Sequence, residues 1–250
     1  MIKVFLAVIT VLATGFADGD PVQGMAAQGG LSGFVFLPGS DVLQEGCLRI
    51  QGRLNYIDLK NSSNSYLVLP LNVTWGWMKG VEIGGEIPFY LHSVEEDRVP
   101  GDITAGCAWL YETARGGSAI VLRGQLRLPT GQKGRDRGSE LAFGVATGTT
   151  FRLFRLQASA SYILNGGRNP FKDRIIDYMD FSIGGASYVT EDIQIVCAMD
   201  GNTLSDFGLS GSGVLYAFDN ISLFGVIRAG LSGYETYSIS AGAAWTGSGF

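Results

Sequence analysis

From Cys47 onward the chain alternates apolar and polar residues with a period of two, segment after segment. On an extended strand successive side chains point to opposite faces, so each segment has one apolar and one polar face. Leu48, Ile50, Leu54 and Tyr56 alternate with Arg49, Gln51, Arg53 and Asn55, and Leu67, Leu69, Leu71, Val73, Trp75 and Trp77 oppose Asn72 and Thr74. Ile120, Leu122, Leu126 and Leu128 face away from Arg123, Gln125 and Arg127. The same grammar continues to Thr236–Thr246 and gives twelve strands, with ten or fourteen also compatible. Mean hydropathy is +0.20 and only 16% of residues are charged, which favours a membrane solvent over water. Beyond the N-terminus no segment reaches the roughly 18 consecutive apolar residues of a spanning helix. A membrane-spanning chain of this kind must therefore close into a β-barrel, the other way to satisfy every backbone polar group in lipid. The expected fold is all-β, a closed antiparallel transmembrane barrel of about twelve strands.

The first residues have a different character. Met1-Ile2-Lys3 is a short basic start, Val4 to Leu12 is apolar, and Ala13 to Ala17 ends in small residues. This is the three-part build of a secretory signal peptide, residues 1–17. Residues 18–46 are a Gly-rich lead-in, either periplasmic or entering the lumen, and residues 47–250 form the barrel.

Connections alternate in length. Lys79-Gly80, Thr190-Glu191 and Asp219-Asn220 are short, whereas Leu91 to Gly101, Thr130 to Gly138 and Asn165 to Arg174 are long and polar. Short periplasmic turns and long outer loops are the asymmetry of bacterial outer-membrane barrels, which places both termini in the periplasm. Aromatic residues gather at strand ends in two rows. Trp75, Trp77, Trp109, Tyr111, Phe154, Tyr188, Tyr216, Phe218 and Trp245 form one; Tyr56, Phe89, Tyr162, Tyr178, Phe207 and Tyr237 form the other. Two rows match the two membrane interfaces. Phe250 is out of phase with Tyr237, Ile239, Ala241, Ala243 and Trp245, which calls for a bulge near Gly247 or an end that runs past the barrel.

Two stretches carry family resemblance. Leu69 to Phe89 (LPLNVTWGWMKGVEIGGEIPF), Gly101-Asp102-Ile103-Thr104-Ala105-Gly106 and Leu126-Arg127-Leu128-Pro129-Thr130-Gly131 follow one another in order. Together they resemble the outer-membrane barrel family named for the MetA pathway of phenol degradation, over about Leu67 to Leu164. That resemblance implies a transporter. Gly30 to Gly46 is similar to the opening segment of barrels associated with exopolysaccharide secretion. Neither family brings a catalytic set.

On this strand phase Arg49, Arg53, Arg123, Arg127, Arg155 and Arg228 face the lumen, with Glu82, Glu86, Asp102, Glu140, Asp180 and Asp200. Equal numbers of each sign imply no simple ion selectivity. The charges either interlock and plug the barrel or line opposite walls, with Arg49, Arg53, Arg123, Arg127 and Arg155 basic and Glu82, Glu86 and Asp102 acidic. Two outer loops carry a basic patch of Lys133, Arg135, Arg137, Arg168, Lys172 and Arg174 that suits lipopolysaccharide phosphates or an anionic solute, although a charged loop with its own Asp136, Asp173 and Asp177 as partners is the plainer reading. His92-Ser93, beside Glu95, Glu96 and Asp97, is the one pairing compatible with a surface lipid-modifying enzyme, but adjacent residues on an extended chain point apart. A solvated loop is the plainer reading. Two of the three cysteines, Cys47, Cys107 and Cys197, face lipid, and no disulfide is expected.

No catalytic residue, metal site or cofactor is expected. A net charge of −5 gives no general attraction to nucleic acid. The expected function is passive outer-membrane passage of a small, poorly polar solute. The alternative is a plugged structural or envelope-assembly barrel, exopolysaccharide-associated. Expected partners are outer-membrane lipids, lipopolysaccharide and the barrel-assembly machinery. The oligomeric state is left open.

Overall fold

The computed structural model describes residues 31, 33–34, 37–39, 41–60, 65–92, 99–112, 118–131, 139–151, 154–166, 177–233 and 235–248. The proposed signal peptide, the loop basic patch, Ser93 and Phe250 lie outside the described residues. Twelve long strands run in chain order: β1 (Cys47–Leu59), β2 (Ser65–Met78), β3 (Val81–His92), β4 (Ile103–Glu112), β5 (Ser118–Leu128), β6 (Glu140–Phe151), β7 (Phe154–Asn165), β8 (Tyr178–Thr190), β9 (Ile193–Asn202), β10 (Phe207–Phe218), β11 (Ile221–Ser232) and β12 (Glu235–Ser248). Each pairs antiparallel with the next, and β12 pairs with β1 to close the ring. Closure leaves no long unpaired edge, as lipid requires. The fold is a closed, antiparallel, twelve-stranded, all-β barrel.

Cys47 stands opposite Ser248 and Leu48 opposite Trp75, so β1 starts and β12 ends at the rim that carries the short turns. At the turn after β2, Gly80 has φ +76°, a conformation that costs a side-chain-bearing residue. The other rim carries the long connections. There Val99–Pro100 adds briefly to β3, and Asp102 Oδ1 accepts a hydrogen bond from Gly131 N at 3.0 Å. Asp102 thus precedes β4 and caps a loop, instead of standing along the strand with the other charges.

The alternation separates the two faces sharply. Ile227 is 62% exposed while its neighbours Val226 and Arg228 are 3% and 4% exposed. The outer face is an apolar band from Ile50, Leu71 and Leu122 round to Phe143, Ile183 and Ile239. Trp75, Trp77, Trp109, Tyr111, Phe218 and Trp245 are exposed near the short-turn rim, and Tyr56, Tyr162 and Tyr237 near the other. Three expected members of these rows belong inside instead. Tyr178 lines the lumen, and Tyr216 packs on an inward apolar cluster and donates to Gln194 Oε1 at 3.1 Å. Tyr188 lies beside Tyr216, with ring centroids 6.5 Å apart. The bulges at 188–190 and 216–218 come after these two tyrosines, so both keep the inner parity.

No bulge interrupts the β12–β1 ladder from Tyr237 to Ser248. The expected frame shift near Gly247 is therefore absent among the described residues. Cys107 and Cys197 lie on the outer parity and Cys47 on the inner, all as free thiols.

Candidate functional site: the barrel lumen

The described part of the lead-in turns inward at the short-turn rim. Gly46 N donates to Gly76 O at 2.8 Å, and a Cβ at Gly76 would collide with the Gln44 carbonyl. Only glycine lets the two backbones approach this closely. Further in, Leu43 is 1% exposed and donates its N–H to Glu82 Oε2 at 2.7 Å. Asp41 meets Arg155 in a two-pronged ion pair, each N–O distance 3.0 Å. The backbone of Leu37–Pro38 runs beside β7 and β8 and pairs with Gly33–Phe34 in a short ladder. Leu31 is fully buried among Ala108, Val121 and Ala146, with Val42 and Leu110 alongside.

Beside this segment lie Arg49, Arg123 and Arg155, with Glu82 and Asp41 as the acids whose fields oppose Arg49 and Arg123. Arg49 Nε also donates to Thr246 Oγ1 at 3.2 Å. Toward the long-loop rim the barrel strands supply both partners of each pair. Arg53 Nη2 meets Glu86 at 3.0 Å, and Arg127 Nη1 meets Glu140 at 2.6 Å. Arg228 binds Asp200 through Nε and Nη2, the shortest contact 2.6 Å, and Glu235 through Nη1 at 2.8 Å. Oppositely charged groups therefore interleave around the ring. The expected division into one basic and one acidic wall does not hold, because each arginine sits within reach of a carboxylate on a nearby strand or on the lead-in.

Two cavities flank the lead-in. The one at the short-turn rim, about 360 Å³, is lined by Gln44, Cys47, Arg49, Tyr216 and Thr246 among others. The one in the long-loop half, about 370 Å³, has Pro38 in its lining with Glu86, Arg127, Glu140, Tyr178, Asp180, Asp200, Asp206, Arg228 and Glu235. Among the described residues no group of three or more His, Cys, Asp or Glu is placed to hold a metal. His92 is exposed at the end of β3, and its expected neighbours Ser93, Glu95, Glu96 and Asp97 fall outside the described residues.

Alternation alone did not reveal that part of the inner wall is apolar. Ala186, Val196, Ala198, Val214, Phe224 and Val226 form a buried inward cluster on β8–β11, in the half nearer the short turns. The signal is in the sequence as places where both parities are apolar, such as Ile195-Val196-Cys197-Ala198 and Val226-Ile227. Asp41, Asp206 and Glu235 were also missed, because they sit in the lead-in, in a turn and at a strand's first position.

Solved structures that share this fold include outer-membrane channels and porins. An outer-membrane channel from Pseudomonas putida F1 superposes with a TM-score of 0.68 at 12% identity, covering 84% of this chain and 99% of that one. The NanC porin gives 0.60 and the KdgM porin 0.59, each at 9% identity over 79% of this chain and 98% of the other. At such identities the likeness establishes the fold. No protein-family model matches the chain, and no curated protein matches it in sequence.

Proposed function

We propose that the chain is an outer-membrane channel, not an enzyme, for passive passage of a small, poorly polar solute. The observation that carries this reading is a lumen with a chamber at each end and an inward apolar cluster on β8–β11 between the rims. An apolar inner wall weakens the interactions that favour strongly hydrated solutes and supports dispersion contacts with apolar ones. The short-turn rim, with both strand termini, would face the periplasm. The basic outer loops would contact lipopolysaccharide, and insertion would use the barrel-assembly machinery. The sequence resemblance to MetA-pathway barrels agrees with transport. Fold alone does not, since one barrel architecture hosts channels, anchors and enzymes.

The test is single-channel recording of the purified, refolded chain, paired with swelling of liposomes loaded with it. Small but discrete conductance and faster uptake of a neutral, weakly polar probe than of a sugar of equal size are expected. The second reading, a plugged structural or envelope-assembly barrel with the exopolysaccharide link of the lead-in, is favoured by the dense packing of Leu31, Asp41 and Leu43 inside the lumen. It predicts neither current nor uptake, even after Asp41→Ala loosens the lead-in.

A further inference from the structure

The charges of the lumen are unevenly distributed along it. The long-loop chamber is lined by six carboxylates, Glu86, Glu140, Asp180, Asp200, Asp206 and Glu235. Against them stand Arg127 and Arg228 in the lining and Arg53, paired to Glu86. Six acids against three guanidiniums leave an excess of three negative charges. The arginines are already committed: Arg53 to Glu86, Arg127 to Glu140, and Arg228 to Asp200 and Glu235 together. The carboxylate of Asp180 forms no ion pair or hydrogen bond with any described residue, and Oδ1 of Asp206 is buried without a hydrogen-bond partner.

Carboxylates enclosed in a walled chamber repel one another and lose part of their hydration, so the space between them favours a compensating cation. The other half of the lumen has the opposite bias: Arg49, Arg123 and Arg155 face Glu82 and Asp41 and leave one positive charge in excess. No geometry for a multidentate metal site accompanies the acids among the described residues. The chamber is instead roomy, with serines and a tyrosine (Ser159, Ser161, Tyr178) between the charges, and that suits a monovalent organic cation held by field and hydrogen bonds.

We infer that the long-loop chamber is a cation-accepting vestibule that makes the channel cation-selective, receiving a small protonated amine with Asp180 as its counter-ion. This rests on the channel reading and adds a charge requirement to the poorly polar solute proposed there: an ammonium group on an otherwise apolar body.

The experiment measures the reversal potential of the refolded full-length chain in a planar bilayer under a KCl gradient. Permeability to potassium over chloride should be at least about threefold, the bias that roughly half a kT of local potential produces by enriching the cation and depleting the anion. Asp180→Asn with Asp206→Asn should bring the ratio toward unity. In parallel, benzylammonium chloride should raise the unfolding temperature of the wild type more than sodium benzoate at equal ionic strength, and the double variant should lose that difference. A chloride-directed potential would mean that the loop lysines and arginines at this rim outweigh the chamber, and would overturn the inference. So would an unselective current, or equal stabilisation by the two salts. If no current flows, the channel reading falls, and the benzylammonium shift alone decides for or against the chamber.

Discussion

The two halves of the lumen use the same kinds of residues but draw their acids from different places. In the long-loop half, Glu86, Glu140, Asp200 and Glu235 belong to barrel strands, so the pairs with Arg53, Arg127 and Arg228 exist once the ring has closed. In the short-turn half, the partner of Arg155 is Asp41, which belongs to the lead-in, and Glu82 accepts from the lead-in's Leu43 N–H. In the long-loop half every arginine is paired within the wall. In the other half the pairing of Arg155 needs the lead-in to be seated, and the apolar pocket at Ala108, Val121 and Ala146 is likewise filled by the lead-in's Leu31. The barrel wall can therefore fold with the short-turn half unfinished, whereas the long-loop half cannot lose a partner without straining the wall itself.

The sharpest way to break this comparison is to delete residues 31–43. Conductance should rise at least about tenfold, because the width of a twelve-strand barrel, and no longer a filled lumen, would then limit flow. Selectivity should move toward anions as Asp41 leaves Arg49, Arg123 and Arg155 facing Glu82 alone. Unchanged current would mean that the lead-in does not obstruct the path.

A smaller effect separates the halves by stability. Arg228→Ala strands Asp200 and Glu235 beside each other, and removal of one partner from a buried charge network costs about 3 kcal/mol. Arg155→Ala breaks a more exposed pair whose other member is on the lead-in, so barrel stability should fall by no more than about 1 kcal/mol while conductance rises. Urea unfolding of both variants, followed by loss of the folded band on unheated gels, checks the contrast. Equal destabilisation would show that the lead-in is as integral to the wall as the strands.

Much of the barrel was readable because lipid permits only one solution for a chain with period-two alternation and no spanning helix. Strand phase followed from residues such as Leu122 beside Arg123, where one parity is wholly apolar and the other charged. The same rule was weakest where the lumen is itself apolar. At Val196, Val214, Phe224 and Val226 both faces bury hydrocarbon, one against lipid and one against the lumen, and alternation carries no sign of which is which. Tyr188 and Tyr216 misled for a related reason: an aromatic ring near a strand end satisfies an interface belt or an inward cluster equally well, and the bulges just beyond them leave no trace in composition. Pairing was hidden too. That Arg155 meets Asp41 requires two segments 114 positions apart to share the lumen, which no local pattern encodes.

The smallest effect concerns Asp206, in the turn between β9 and β10, where Asn202 Oδ1 accepts from the N–H groups of Leu204 and Asp206. Burial raises the Asp206 carboxyl above its ordinary range; Arg228 opposes that rise and Asp200 adds to it. A raised value means that the folded chain keeps this proton to higher pH than the unfolded chain does. Stability from the protonated form is then complete below about 4, the ordinary aspartate range, and is lost as pH climbs through the folded value. Asp206→Asn is uncharged at every pH and lacks this loss. The unfolding midpoint of the wild type, measured against the variant at a series of pH values, should therefore fall on going upward from about 4 and then level off. A gap that stays constant with pH would mean that Asp206 titrates as it does in water, and that the long-loop chamber exerts no field at its rim.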